Sequence, residues 1–186
     1  MSKTNCPTEH DFALVIEGVP ELNDDVMDAL FEAGCDDASF SIQHGLLYAE
    51  FSRVAESFMH AIVSAINDLH KAKIGASVVC IDKCDLVTPS EIARRINRTR
   101  QQVHQYITGE RGPGNFPPPE CYLADDDAPL WRWCAVSYWL ANNDIIRREE
   151  GWNAQIVAAI NTYLEMERRR AQHPALMKEI AEKVSV

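Results

Sequence analysis

The 186-residue chain predicts a mixed α+β fold, and three patterns carry that expectation. Strand-like and helix-like apolar spacings alternate through residues 1–86. Two helix-start signals separated by a tight turn follow from Thr88. From Asn153 onward apolar residues recur at helical spacing.

Phe12 to Ile16 is a short apolar run ended by Gly18 and Pro20, the pattern of a buried strand. Asn23 or Asp24 can cap a helix that places Val26, Met27, Leu30 and Phe31 on one face, with Gly34 closing it. Ala38 to Ile42 alternates, with Phe40 and Ile42 on one side. His44-Gly45 is a turn signal, and Leu46 to Phe51 is the returning strand. Val54, Phe58, Ile62, Ile66 and Leu69 share a helical face over residues 54–72, and Ala76 to Ile81 closes as a strand. The order β-α-β-β-α-β is the split βαβ, or ferredoxin-like, arrangement. Two helices would cover one sheet face, leaving the other open or paired with another subunit.

Thr88-Pro-Ser-Glu91 is a capping box with proline at the first helical position. Ile92, Ala93 and Ile96 form the apolar stripe, and Asn97 supplies a residue that tolerates the left-handed turn. Thr99 to Gln102 repeats the capping pattern, Val103, Tyr106 and Ile107 point inward, and Gly109 ends the helix. A Gly/Pro-rich exit, residues 112–119, leads to Glu120 to Leu123, an acidic tip Asp125 to Asp127, and the run Pro129 to Trp133. Two short strands around that loop would form a wing. Further helices are expected over Ala135 to Ala141, Asn153 to Gln172 and Ala175 to Val184, the last two separated by His173-Pro174. The domains implied are 1–86, an α/β unit; 87–145, a winged helix-turn-helix; and 146–186, helices that brace or dimerise it.

Charge sharpens this division. The chain carries a net −10, yet residues 1–87 account for −10, residues 88–118 for +3 and residues 119–186 for −3. A basic island with helix-turn-helix punctuation inside an acidic protein is the footprint of a DNA-binding element. The helix at 99–109 would enter the major groove. Its outward residues Thr99, Arg100, Gln101, Gln102, His104 and Gln105 can grip bases or phosphates. Thr88 and Ser90 at the first helix start, Arg98 in the turn and Arg111 beyond the second helix complete the candidate set. The acidic first half would repel phosphate, so it suits self-association, or a small-molecule or protein partner.

Thr88 to Asn142, about 55 residues, resembles a MerR-type or excisionase-like winged helix. The helix-turn-helix, the Phe116 to Pro119 segment and the Leu130 to Trp133 run before the next helix carry that resemblance. It implies double-stranded DNA as partner, a bacterial or phage setting and a role in transcription regulation. It also implies that Arg132 touches the phosphate backbone, although the acidic tip departs from a basic wing. Two alternatives stay open: an architectural or recombination accessory factor, and an antitoxin-like module that binds a protein.

No enzyme, cofactor or metal is expected. There is no P-loop, no GxGxxG after a strand, no GxSxG and no HExxH. The six cysteines include Cys80 and Cys84 at a four-residue spacing, without a second matching pair, so reduced buried or half-buried thiols are expected. Trp131, Trp133 and Trp139 are expected in the small domain's core and rim, and Trp152 at the start of the long helix. Ile156, Ile160, Tyr163, Leu164 and Glu167 line one side of that helix, which would pack on its own chain or pair two subunits. No apolar run approaches a membrane span and no signal-peptide core is present, so a cytoplasmic location is expected.

Overall fold

The computed structural model describes residues 6–81, 85–123 and 128–184. Cys84 and the acidic tip Asp125 to Asp127 lie outside the described residues. The chain is a mixed α+β protein with two units, one of residues 1–82 with 159–186 and one of residues 83–158.

The first unit begins β1 (Thr8–Glu17), α1 (Asp24–Glu32), β2 (Ala38–Gln43), β3 (Leu46–Ala55), α2 (Phe58–Lys71) and β4 (Ser77–Ile81). The sheet order is β2-β3-β1-β4, and every neighbouring pair is antiparallel. Each helical crossover therefore skips one strand. β2 and β3 are joined through His44 and Gly45, both with positive φ (53° and 78°), the conformation that a two-residue hairpin turn with the favoured twist requires. Phe12, Leu14 and Ile16 of β1 and Leu47, Ala49 and Phe51 of β3 form a buried face. Phe12 stacks on Phe51 and meets Phe58 of α2 edge-on.

Arg53 is the main polar element of this unit. Its Nε donates to Asp37, one terminal nitrogen to Asp68 and Ser64, and the other to Asp37 and the Gly34 carbonyl, at 2.7 to 3.2 Å. A guanidinium has five N–H donors, and each has an acceptor here. The charge joins β3 to the end of α1, the start of β2 and the face of α2.

One expectation changes here, and two apolar side chains stay exposed. Val54 belongs to β3 and is 65% exposed, because Leu47, Ala49, Phe51 and Arg53 take the inward positions and Ser57 caps α2 through the His60 N–H. Phe31 is exposed because the short α1 turns only Leu30 fully inward. Ile42 is exposed near the end of an edge strand.

The second unit contains β5 (Leu86–Val87), α3 (Pro89–Arg95), α4 (Arg100–Thr108), β6 (Cys121–Leu123), β7 (Ala128–Arg132) and α5 (Trp133–Asn142). The small antiparallel sheet has the order β5-β7-β6, adding a strand the sequence did not suggest. Val87, Ile92, Ala93, Val103, Tyr106, Trp131, Val136, Trp139 and Leu140 form one core. Trp133 is half-buried and opens α5 rather than ending the strand. Asp85 supplies the cap that Arg132 does not: its Oδ1 accepts the Cys134 N–H and its carbonyl accepts the Trp133 N–H.

The long helix α6 (Arg148–Gln172) starts five residues earlier than expected and crosses from the second unit into the first; α7 (Pro174–Lys183) follows. Within the second unit Gly151 meets α5, and the Gln155 amide donates to the Cys134 carbonyl at 2.6 Å. Within the first unit the Asn161 amide pairs with both backbone groups of Ile81, at 2.7 and 3.2 Å. The edge strand β4 thus gains partners from α6. Ile156, Ile160 and Leu164 are half-buried, Tyr163 and Glu167 are exposed, and the inward positions of α6 are Gly151, Ala154 and Val157. Trp152 is 66% exposed because it follows the inward Gly151 by one residue. Cys35 is buried and Cys80 and Cys134 half-buried, but Cys6 and Cys121 are exposed, against expectation. No helix among the described residues is long and apolar enough to cross a membrane.

Candidate nucleic-acid interface

α3 and α4 form the hairpin expected from residues 88–109. Thr88 Oγ1 accepts the Glu91 N–H and Thr99 Oγ1 the Gln102 N–H, both at 3.2 Å, so each helix starts with a side-chain cap. Between them Asn97 takes φ 51°, the left-handed turn. Gly109 ends α4 in the same conformation, which glycine adopts without steric cost. Ile92, Ala93, Val103 and Tyr106 lock the two helices onto the core.

That packing fixes which side of α4 is outward. Thr99, Arg100, Gln101 and His104 are exposed, while Gln102 and Gln105 are half-buried on its flank. Ser90, Arg98 and Arg111 are exposed, and Thr88 is half-buried with its hydroxyl oxygen committed to the cap. A cleft of about 610 Å³ gathers Thr99, Gln101, Gln102, Gln105 and Arg111 beside Tyr106 and Gly112. The linings of that cleft do not include Thr88, Ser90, Arg98, Arg100, His104 or Arg132.

The basic island is less open than its composition suggests. Glu91 accepts from Arg94 at 2.7 and 2.8 Å and from Arg95 at 2.8 Å. The hydrogen bonds from Arg94 first, then Arg95, lower its carboxyl from 4.5 to about 2. Arg95 also lies over the Trp133 ring, 4.9 Å from its centre. The i,i+3 and i,i+4 spacings were the sequence signal for these Glu91 pairs, which the charge count alone does not draw. Arg98, Arg100 and Arg111 are the exposed cations left on this surface, and Glu110, also exposed, precedes Arg111 in sequence.

Arg132 is held differently from the expectation. Its guanidinium donates to Asp85 at 3.2 Å and to Glu120 at 3.0 Å, and both carboxylates raise its pKa, Glu120 more than Asp85. A phosphate would have to compete with those partners. Asp85 stands 47 residues away in sequence, beyond any local pattern.

Tyr106, an inward residue by its spacing, does more than pack. The residue is buried, yet its hydroxyl accepts a hydrogen bond from Gln102 Nε2 at 3.0 Å. The i,i+4 spacing of the two residues was the available signal.

Among the described residues, no group of three or more His, Cys, Asp or Glu side chains is placed to hold a metal ion. Burial, and then Asp85, push the Cys134 thiol up; a protonated thiol is a poor nucleophile. The arrangement offers amides, hydroxyls and guanidinium groups on a helix surface, which is chemistry for recognition. Protein-family models, characterised proteins and solved structures show no match to this chain.

Proposed function

We propose that the chain is a sequence-specific double-stranded DNA-binding protein that regulates transcription, with α4 as the reading helix. One observation carries the proposal. The two-helix hairpin is capped at Thr88 and Thr99, turned at Asn97 and locked by Val103 and Tyr106, which leaves Arg100, Gln101 and His104 outward at the start of α4. Outward residues near the start of a second helix are those that reach base edges in the major groove.

We read the second unit as a winged helix, with β6 and β7 as the wing. Arg98 and Arg111 would supply the phosphate attraction that most non-specific affinity requires. The first unit is read as ferredoxin-like on its β2-β3-β1-β4 order, serving self-association or a partner away from DNA.

Selection of bound sequences from a randomised duplex pool at physiological salt tests the proposal. An enriched motif is expected, and it should vanish in Arg100→Ala with Gln101→Ala while the fold persists. A folded wild-type protein that enriches nothing would overturn the reading.

A further inference from the structure

Tyr106 is one residue of the second unit whose structural setting exceeds a packing role. Its ring is held on two sides. Trp139 lies at 5.6 Å between ring centres, and Gly112, at φ 92°, approaches so closely that a Cβ there would stand 2.9 Å from Tyr106 Cδ1. The hydroxyl so fixed accepts from Gln102 Nε2 at 3.0 Å, on the third residue of α4. Gln102 is half-buried and lines the Thr99–Arg111 cleft together with Gln101 and Gln105.

A glutamine amide has two N–H donors and one carbonyl acceptor. With both donors open it can serve either purine, donating to N7 and O6 of guanine or pairing with N7 and N6 of adenine. Tyr106 takes one donor. What remains is one N–H and one carbonyl, the pattern that matches adenine's N7 acceptor and N6 donor. Guanine would set its O6 against the glutamine carbonyl.

We infer that Tyr106 is a positioning residue that commits Gln102 to reading adenine at one base pair of the bound site. This rests on α4 being the reading helix, and it names a specificity determinant within that reading. Gln102 touches the base; Tyr106 acts through Gln102.

The test is pool selection with wild type, Gln102→Ala and Tyr106→Phe, each checked for a cooperative thermal transition. The wild-type motif should contain one A·T pair whose preference falls about tenfold in Gln102→Ala, with the other positions unchanged. Tyr106→Phe should keep adenine there but also admit guanine. A purely structural role would lower stability or overall affinity without changing one position. In wild type, the Gln102 side-chain NH2 resonances should show one proton protected from exchange, a readout that does not need Tyr106→Phe to fold. An unchanged motif in Gln102→Ala, or in a folded Tyr106→Phe, overturns the inference while leaving DNA binding intact. A folded wild type that enriches no motif overturns the DNA-binding reading and this inference with it.

Discussion

Gly151 of α6 lies against Ala141 of α5 so closely that a Cβ on it would stand 2.6 Å from the Ala141 Cβ and 3.1 Å from the Ser137 carbonyl oxygen. Two helix backbones meet there with no room for a methyl group. Alanine would gain about 1 kcal/mol of helix propensity over glycine. Overpacking a tight contact costs about 1–3 kcal/mol. Gly151→Ala should therefore lower stability by about 1 kcal/mol, read by chemical denaturation. Adding Ala141→Gly should couple favourably, leaving the double variant more stable than the sum of the two single losses. Additive losses would show that the helices part without strain.

Arg53 leads to a second expectation. Removing it leaves Asp37 and Asp68 facing each other without their shared cation, and strips an acceptor's partner from Gly34. Breaking a largely buried ion pair by deleting one member costs about 3–5 kcal/mol. Arg53→Met should fall in that range by urea unfolding. Neutralising both acids in the same background, with Asp37→Asn and Asp68→Asn, should recover a large part of it. A loss that stays the same in the triple variant would place the cost in packing against Phe51, whose ring centre lies 5.0 Å from the guanidinium carbon.

These two contacts also mark the limit of what the sequence made legible. The caps at Asn23, Thr88 and Thr99, the turn at Asn97 and the His44-Gly45 hairpin depend on residues within four positions of one another, so local chemistry announces them. Apart from β5, the strand and helix order followed from those signals and from apolar spacing. Arg53 reads in sequence as a lone charge between the strand ending at Phe51 and the helix expected from Val54; its partners are 11 to 19 residues away. Asn161 and Ile81 are 80 apart, and Asp85 and Cys134 are 49 apart. No periodicity encodes such pairs. In the candidate site, the apolar face of α4 made Thr99, Arg100, Gln101 and His104 legible as outward, but Gln102 and Gln105, expected with them, are half-buried. Asp85, which holds Arg132 from 47 residues away, emerged only when the chain was folded, whereas the Tyr106 hydroxyl that holds Gln102 is four residues off and was signalled by that spacing alone.

Glu91 gives the acid response of the hairpin a direction. Its carboxyl is lowered from 4.5 to about 2 by Arg94 and Arg95. A depressed carboxyl contributes stability that is full above its unfolded value and is lost as pH falls through the folded value. The contribution should thus persist at pH 5 to 7 and disappear between about 4.5 and 2. NMR titration of the Glu91 carboxyl should show the low midpoint. Glu91→Gln should melt lower than wild type at neutral pH, and the two should converge toward pH 2. Parallel melting curves at every pH would rule out the ion pairs as the source.

Arg132 separates a wing that grips phosphate from a wing that braces itself. Its partners Asp85 and Glu120 already satisfy part of its guanidinium, and Asp85 also holds the start of α5. If that arrangement persists on DNA, Arg132→Ala should leave the salt dependence of binding unchanged. Its cost would be about 0.5 kcal/mol of stability, the usual scale for an exposed ion pair. Arg98→Ala provides the contrast, since losing one phosphate contact should reduce the slope of log affinity against log salt by about one. Affinity series from low to high salt on the same duplex decide between them. A slope reduced equally by both substitutions would mean that Arg132 exchanges its carboxylates for phosphate when DNA arrives.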